Sequence, residues 1–205
     1  MRLINTKPII NMKIKAIVFD LDGVLVNSED AWYHIHKTIF ESKGLHVPDK
    51  KEWARTLWGT DLTVICSKFG FSDKETAETV SVKNGLLLEN IDKIKIFAGV
   101  PEILNGLKTR GLKLGVVSNN NRSFVEKVFE KFQIKQFFDF IIGDEYGPKP
   151  KPDGLLKILG FIGVNKTDAV FVGDTQIDVE TGEAAGIRTL IIGNDINNIG
   201  DIEKL

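Results

Sequence analysis

The chain has 205 residues, of which 42% are hydrophobic and 27% are charged. Its 27 basic and 28 acidic residues leave a formal net charge of only -1. A disordered tail is excluded, because this apolar fraction is large enough to form a core. Nucleic acid is not expected as the main partner, because the chain has no excess of positive charge.

The sequence also argues against a membrane or secreted protein. No apolar run approaches the roughly 18 residues that a membrane-spanning helix needs, so no membrane partner is expected. The start, MRLINTKPIINM, does not resemble a signal peptide, and we expect residues 1–11 to form a flexible leader. The one cysteine, Cys66, excludes an internal disulfide. These features together predict a cytoplasmic protein.

Five short apolar runs alternate with segments of helical length and helical spacing. Each run is rich in β-branched or aromatic residues, as expected of strands that are buried on both faces. The runs cover residues 14–20, 112–118, 137–143, 168–173 and 188–193. Strands that alternate with helices favour a parallel sheet. The predicted fold is therefore α/β, a doubly wound, Rossmann-like, five-stranded parallel sheet.

One connection is too long for a simple crossover. About 75 residues separate Gly23 from the segment 97–99, and their apolar residues have helical spacing with no clear strand. We therefore predict a catalytic core formed by 12–26 and 97–205, with a helical subdomain, 27–96, inserted after the first strand. The polar C-terminal segment 194–205 is expected to be loosely held.

Polar side chains follow several of the predicted strands. They are Asp20 and Asp22, Ser118 and Asn119, Lys149 and Lys151, and Asp174 and Thr175. In an open parallel sheet, ligands bind beyond the carboxyl ends of the strands, so we expect these side chains to share one crevice.

The acids in this set indicate a metal and a phosphate. Asp20 and Asp22 are two residues apart and can point the same way, but clustering them with Asp174 would be repulsive. A divalent cation relieves that repulsion, and Mg²⁺ is the usual one in phosphate chemistry. A phosphate dianion would complete the charge balance with the lysine and the serine. One aspartate would then act as nucleophile and the other as acid and base.

Four motifs occur in the order and at the spacings of a known family: FDLDGVLVNSE, VVSNN, KPKPDGLL and GDTQID. From Met12 onward the chain resembles the haloacid dehalogenase superfamily. The resemblance is to its branch of phosphoglycolate phosphatases and β-phosphoglucomutases, which carry a helical cap after the first strand. An acid two residues past the nucleophile, here Asp22, separates phosphatases and mutases from the dehalogenases that name the family.

The resemblance implies a role for each matching residue. Asp20 would be the nucleophile, and Asp22 would be the acid and base that also lends its backbone carbonyl to the metal. The implied Mg²⁺ site consists of Asp20, Asp22, Asp174 and Asp178. Phosphate and substrate contacts are expected from Ser118, Asn119 and Lys149, with Lys149 also counted among the catalytic residues together with Asp20, Asp22 and Ser118.

The inserted segment offers fewer site residues. Arg55 is the one candidate there, because its guanidinium could bind a substrate carboxylate or a second phosphate. The aromatic residues Trp32, Trp53 and Trp58 are interpreted as packing. Three further residues, His34, His36 and Cys66, are left out of the predicted site.

The leading hypothesis is a Mg²⁺-dependent phosphatase that hydrolyses a small phosphorylated metabolite through an aspartyl phosphate, as a monomer or homodimer. A β-phosphoglucomutase is the first alternative, although Trp32 stands where that enzyme has a cap histidine. A phosphonoacetaldehyde hydrolase would need a Schiff-base lysine, for which Lys37, Lys43, Lys50 and Lys51 stay open. A response-regulator receiver, which keeps its phosphoryl group, is the alternative from another functional class.

Overall fold

The computed structural model describes residues 14–204, and the expected leader 1–11 lies outside them. The strands in this range are β1 (Ala16–Phe19), β2 (Val26–Asn27), β3 (Lys95–Ile96), β4 (Lys113–Val117), β5 (Phe140–Ile142), β6 (Ala169–Gly173) and β7 (Arg188–Ile191). The α-helices are α1 (Glu29–Ser42), α2 (Lys50–Thr56), α3 (Leu62–Lys68), α4 (Asp73–Glu89), α5 (Val100–Thr109), α6 (Arg122–Lys131), α7 (Asp153–Ile162) and α8 (Gln176–Ala185).

Five of these strands form one parallel sheet in the order β5-β4-β1-β6-β7. The first strand lies in the middle, where Phe19 is opposite both Val116 and Val172. The chain winds outward from β1 in both directions, so the switch in strand order lies beside β1. The predicted fold class is confirmed. The strand predicted at 137–143 begins only at Phe140, because Lys135–Phe137 form a 3-10 turn.

Alternate residues of β1 face two separate apolar layers. Ile17 and Phe19 belong to one core cluster, which includes residues of α5 and α6. Ala16 and Val18 belong to the other cluster, which includes residues of α7 and α8. Both faces of the sheet are therefore covered, which explains why its strands are continuously apolar in sequence.

Helices α1 to α4 lie between β1 and α5 and are called the four-helix insert below. Their inner faces bury residues such as Ile35, Trp53 and Leu87. No strand was predicted here, yet β2 and β3 form a short antiparallel pair in which Val26 is opposite Ile96. This pair holds the chain entering the insert beside the chain leaving it. The domain bounds 27–96 stay a prediction.

The expectation of a loosely held C-terminal end is wrong for the described residues. A 3-10 helix, Ile199–Lys204, follows β7, and the side chains of Ile199 and Ile202 are 3% and 0% exposed. Both belong to the same core cluster as Ile103 and Leu104 of α5. Two isoleucines spaced three apart in a polar sequence were enough to anchor this segment. No helix within 14–204 is long and apolar enough to cross a membrane.

Candidate active site

The carboxyl ends of the central strands meet at one side of the sheet. Asp20 follows β1, Ser118 follows β4 and Asp174 follows β6, and these strands are direct neighbours. The loop after β5 adds Lys149. A cavity of about 60 Å³, room for a few water molecules, lies between these strand ends and the four-helix insert. Parallel pairing has therefore brought residues more than 150 positions apart to one site.

The cavity has two walls of different origin. The core wall comes from the loops that follow the sheet strands and consists of Asp20, Asp22, Asn119, Asn120, Lys149, Asp174 and Thr175. The insert wall consists of Trp32, His36, Trp53, Leu57, Trp58, Gly59, Thr60, Asp61 and Lys83. Two predicted site residues, Ser118 and Asp178, lie behind the core wall and are 2% and 0% exposed.

Lys149 is the buried cation of the core wall. Its Nζ lies 2.8 Å from Asp20 Oδ2 and 2.6 Å from Asp178 Oδ1. Burial lowers the pKa of Lys149, but the two carboxylates outweigh it and raise the pKa above its ordinary value. Burial also opposes ionisation of Asp178, yet the Lys149 charge keeps the pKa of Asp178 below its usual range. Lys149 is therefore fully charged at neutral pH and held in one position.

Asp178 is fixed from its other side by the start of α8. Its Oδ2 accepts hydrogen bonds from the Thr175 backbone N–H at 3.1 Å and from the Thr175 hydroxyl at 2.7 Å. The resemblance implied a role for Asp178 near the metal, and this capping arrangement is compatible with that role because Oδ1 still faces Lys149. Asp178 thus links the helix start to the charged cluster.

Three carboxyl groups are close enough to share one cation. Oxygen atoms of Asp20, Asp174 and Asp178 all lie within 4.8 Å of one another. Burial and the neighbouring acids raise the pKa of Asp20 well above its usual range, and burial raises the pKa of Asp174 to about 6. The buried Asp174 Oδ1 has no hydrogen-bond partner among the described residues. Three carboxylates against one ammonium leave two negative charges, which fits a hard divalent cation such as Mg²⁺.

A glycine leaves the space for Asp174. Gly23 has φ +75°, and a Cβ at this position would lie 2.0 Å from Asp174 Oδ2. No other residue fits there without moving the carboxylate, since both the left-handed backbone and the contact require glycine. The glycine of the DLDG turn therefore allows the first motif to lie against Asp174 of the fourth motif, GDTQID.

Asp22 is held by three hydrogen-bond donors at the junction of the two walls. Asn120 Nδ2 donates to Asp22 Oδ2 at 2.6 Å, and Trp32 Nε1 donates to Oδ1 at 3.3 Å. The hydroxyl of Ser28 also donates to Oδ1. Burial raises the pKa of Asp22, and these donors only partly offset that increase. A carboxyl with a raised pKa and a fixed orientation suits a general acid.

The segment after β4 supplies two asparagines of different function. Asn119 accepts a 2.7 Å hydrogen bond from the Lys149 backbone N–H, while its buried Nδ2 has no partner within residues 14–204. Ser118 Oγ accepts from the Asn120 backbone N–H at 3.1 Å and does not line the cavity. Asn120 was not among the predicted site residues, yet it is the asparagine that contacts Asp22. Side-chain direction in a short loop cannot be inferred from spacing alone.

The insert wall differs from what the sequence suggested. Trp58 Nε1 donates to Asp174 Oδ2 at 2.9 Å, and Trp32 donates to Asp22, so neither indole is merely packing. Trp53 is 1% exposed and is part of the insert core, as expected, although its ring also reaches the cavity. Arg55 is exposed on α2 and does not line the cavity, so the structure does not bring it to the other candidates.

Two insert residues that were not selected lie in the cavity wall. His36 is 3% exposed, and its Nδ1 accepts a 2.8 Å hydrogen bond from Trp53 Nε1. Lys83 is 4% exposed and lies on the inner face of α4. The four lysines considered for a Schiff base are absent from this wall; they are Lys37, Lys43, Lys50 and Lys51.

A family model described as haloacid dehalogenase-like hydrolase matches residues 17–192. The chain belongs to the haloacid dehalogenase-like hydrolases. The predicted family and its class of enzyme, a hydrolase, are confirmed. The matched range contains all of the predicted site residues and the four-helix insert.

Curated relatives extend over most of this haloacid dehalogenase-like chain. A phosphoglycolate phosphatase of Aquifex aeolicus is 34% identical over 184 residues, which is 87% of this chain and 84% of the relative. A pyrophosphatase PpaX of Halalkalibacterium halodurans is 29% identical over 190 residues, covering 89% and 85%. A solved structure, described as a predicted phosphatase from Clostridium acetobutylicum, has a TM-score of 0.83 at 18% identity over 93% and 97% of the two chains. At that identity the structure supports the fold alone.

Proposed function

We propose that this protein is a Mg²⁺-dependent phosphatase that hydrolyses a small phosphate monoester through an aspartyl phosphate on Asp20. The observation that carries the proposal is the position of Asp20, 6% exposed at the end of β1. It lies between the Lys149 ammonium and the acidic cluster, and it lines the same cavity as Asp22. The relatives named as phosphatases support the same reaction class.

The core wall would bind the phosphoryl group. Lys149 offers its ammonium to the phosphoryl oxygens, and the unpartnered Nδ2 of Asn119 offers a buried donor beside it. Ser118 would reach the phosphoryl oxygens only if its hydroxyl turned from Asn120 toward the cavity, so its direct contact stays a proposal. Donors that are already in place stabilise developing charge without reorganisation.

In the first step, a carboxylate oxygen of Asp20 attacks phosphorus and forms the O–P bond of the aspartyl phosphate. The P–O bond to the leaving group breaks, and Asp22 gives its proton to the leaving oxygen. Burial raises the pKa of Asp22, which favours its protonated form and suits it to this transfer. Asn120, Trp32 and Ser28 hold the acid in place.

In the second step, Asp22 is a carboxylate and accepts a proton from water. The water oxygen attacks phosphorus, the bond to Asp20 breaks, and phosphate leaves while Asp20 regains its carboxylate. The same residue thus acts as acid and then as base, as microscopic reversibility requires. The four-helix insert covers the cavity and limits the access of water during the first step.

Asp20, Asp174 and Asp178 are the residues that would hold Mg²⁺, with the Asp22 backbone carbonyl as a further ligand. When bound, the ion supplies positive charge that keeps the clustered carboxylates ionised and offsets the charge of the phosphoryl group. The unpartnered Asp174 Oδ1 and the mutual repulsion of the acids support this assignment.

The structure gives the alternatives less support. In place of a mutase histidine, Trp32 lies against Asp22, and its indole can donate a hydrogen bond but cannot accept a proton. A receiver that stores its phosphoryl group would not need a second buried acid such as Asp22, which is oriented in the cavity by three hydrogen-bond donors. The predicted partner is therefore a small phosphorylated metabolite, and a cytoplasmic location stays a prediction.

The test is phosphate release from a panel of small esters, with Mg²⁺ and with chelator, for wild type and Asp20→Asn. We expect metal-dependent release that the variant loses, with an unchanged circular dichroism spectrum. Turnover of Asp20→Asn near the wild-type rate would remove Asp20 as nucleophile. A stable phosphoprotein without release would favour the receiver, and an isomerised sugar phosphate would favour the mutase.

A further inference from the structure

Asn120 carries a buried acceptor that no donor of the core wall reaches. The residue is 2% exposed and lines the cavity. Its Nδ2 donates to Asp22 Oδ2 at 2.6 Å and to Ser118 Oγ at 3.2 Å, so the nitrogen end of the amide is satisfied. The buried Oδ1 accepts no hydrogen bond within residues 14–204. A buried acceptor without a donor is unfavourable, so a donor that reaches this oxygen is bound favourably.

The orientation of this amide follows from the chemistry of Asp22. In the second step of the proposed reaction Asp22 is a carboxylate, which accepts hydrogen bonds and donates none. Only the NH₂ end of Asn120 can face it, because the reversed amide would place two acceptor oxygens in contact. Both amide atoms are bonded to the same carbon. The open acceptor Oδ1 therefore lies next to the base.

The hydrogen bonds of Asp22 identify the oxygen that takes a proton from water. Asp22 Oδ1 accepts from the Ser28 hydroxyl and from Trp32 Nε1. Asp22 Oδ2 accepts from Asn120 alone among the described residues. A carboxylate oxygen has two acceptor sites, so those of Oδ1 are occupied and Oδ2 keeps one open. Water that gives its proton to Asp22 therefore approaches the oxygen that Asn120 contacts.

A water molecule at this position has a second hydrogen, which needs an acceptor of its own. The neighbouring groups Lys149 Nζ and Asn119 Nδ2 are donors and cannot supply one. Another buried acceptor without a partner, Asp174 Oδ1, belongs to the cluster that would hold the metal. Asn120 Oδ1 is the acceptor that stands beside the base.

We propose that Asn120 is a catalytic residue of the second step, in which its Oδ1 accepts a hydrogen bond from the attacking water. Asp22 Oδ2 takes the other hydrogen of that water as a proton. The water oxygen forms its bond to phosphorus, the bond from phosphorus to Asp20 breaks, and Asn120 neither gains nor loses a proton. This inference rests on the proposed phosphatase function and adds to it a choice of phosphoryl acceptor.

The choice arises because an alcohol has a single hydroxyl hydrogen. An alcohol that gives this hydrogen to Asp22 turns its alkyl group toward Asn120 Oδ1 and leaves that acceptor unpaired. A site built to hydrogen-bond one group discriminates for this reason against an analogue that lacks the bond. Asn120 therefore favours hydrolysis of the aspartyl phosphate over its transfer to an alcohol.

The experiment measures how the aspartyl phosphate is divided between water and methanol. Nitrophenyl phosphate is the substrate, because its leaving group needs no proton in the first step. Inorganic phosphate and methyl phosphate are quantified by phosphorus NMR. In Asn120→Leu we expect the ratio of methyl phosphate to inorganic phosphate to rise about fivefold, the effect of one hydrogen bond that only water makes. Asn120→Ala should change the ratio in the same direction.

Trp32→Phe is the matched control. It removes a different donor from Asp22 and leaves Asn120 Oδ1 in place. Both acceptors give their proton to Asp22, so a less well oriented Asp22 slows water and methanol alike. The product ratio of Trp32→Phe should therefore equal that of wild type. Circular dichroism reports whether each variant is folded, and Asn120→Ala decides if Asn120→Leu is not.

The possible results have distinct meanings. A wild-type ratio in the folded Asn120 variants would overturn the inference, since Asn120 would then only orient Asp22. An equal rise in Trp32→Phe would also overturn it, because the ratio would follow the orientation of Asp22. Absence of nitrophenol release from wild type would instead overturn the proposed function.

A second readout does not depend on methanol. It is the fraction of the protein that carries a phosphoryl group when turnover of labelled nitrophenyl phosphate is quenched in acid. Slower attack by water should raise this fraction in Asn120→Leu above that in wild type and in Trp32→Phe. If no protein forms methyl phosphate, this fraction decides the question. A fraction no higher than in either comparison protein would overturn the role of Asn120.

Discussion

The two walls of the cavity differ in how their charged groups are paired. On the core wall, Lys149 contacts two carboxylates and Asp22 accepts from three donors. On the insert wall, Lys83 has no hydrogen bond or salt bridge within 14–204, and His36 Nε2 has no partner there. The core wall also has three open positions, Asn119 Nδ2, Asn120 Oδ1 and Asp174 Oδ1, and its paired charges make it preorganised for one constant group. The insert wall, where a buried lysine has no direct partner, faces the group that differs between substrates.

The difference implies a division of function between the two parts of the chain. The sheet-derived wall should affect the turnover of every ester, because every substrate presents the same phosphoryl group. The insert wall should affect some esters and not others, because it contacts the leaving group. Variants in either wall can therefore contradict or sharpen this division.

The largest effect is expected from Asp22→Asn, which removes the proposed acid from the core wall. Alkyl phosphates should lose about 10²- to 10⁴-fold in kcat, because their leaving oxygen needs a proton. Nitrophenyl phosphate should lose much less, since its leaving group is stable without one. Steady-state kinetics on both esters provide the measurement, and equal losses would contradict the acid role of Asp22.

Lys149→Met should lower kcat by about 10²- to 10³-fold, because it removes a donor to the phosphoryl group. The loss should be the same for esters with an anionic leaving group and for esters with a neutral one. The variant also leaves Asp20 and Asp178 without their shared cation. Lys151→Met is the matched control, since Lys151 is an exposed residue of the same loop. A loss confined to esters with an anionic leaving group would show that Lys149 contacts the leaving group. It would contradict the proposed division of function between the two walls.

The pH dependence of stability tests the neutral state of His36. Its pKa is about 4 in the folded protein, below the ordinary value of 6.5, so only the unfolded chain gains a proton as the pH falls below 6.5. Folding should therefore lose roughly 2 kcal/mol between pH 7 and pH 5 from this residue alone. Urea unfolding of wild type, His36→Phe and His34→Gln measures the effect.

We expect wild type and His34→Gln, whose exposed histidine lies on the same helix, to lose about 2 kcal/mol more than His36→Phe between pH 7 and pH 5. The comparison isolates His36, because the raised pKa of Asp174 and of the other core-wall acids acts on all three proteins alike. If His36→Phe lost as much stability as wild type over this range, the imidazole of His36 would not be buried in its neutral form.

A smaller effect is expected from Trp58→Phe, in which the insert wall loses its hydrogen bond to Asp174. The lost hydrogen bond, which orients the Asp174 carboxylate, is worth about 1 kcal/mol. Its loss should raise the Mg²⁺ concentration for half-maximal activity about fivefold. Trp53→Phe should leave the Mg²⁺ requirement unchanged, because Trp53 donates to His36 instead. An unchanged requirement in both variants would show that the insert does not influence the metal site.

The parts of the molecule that could be predicted from the sequence are those governed by short, regular patterns. Buried strands have continuous apolar runs, and parallel pairing brings their ends together, so Asp20, Asp22 and Asp174 could be placed correctly beside one cavity. Lys149 could be placed by the same argument, because it follows another strand of the same sheet.

The parts that were missed depend on where single side chains point. Nothing in the spacing of α4 distinguishes Lys83 from its exposed neighbours, because the apolar residues of this helix do not follow a clear helical period. Trp32 and Trp58 were interpreted as packing because a hydrogen bond from an indole across two parts of the chain leaves no local signal. The C-terminal isoleucines were missed because their partner, α5, lies nearly 100 residues earlier.

The protein contains three tryptophans, and all of them line the cavity. The rings of Trp53 and Trp58 are 5.6 Å apart, close enough to exchange excitation energy, and Trp58 and Trp32 each contact a carboxyl group of the core wall. The indole emission of the whole molecule therefore originates at the site itself. Ligand entry can be followed by intrinsic fluorescence, without a label and in variants that no longer turn over.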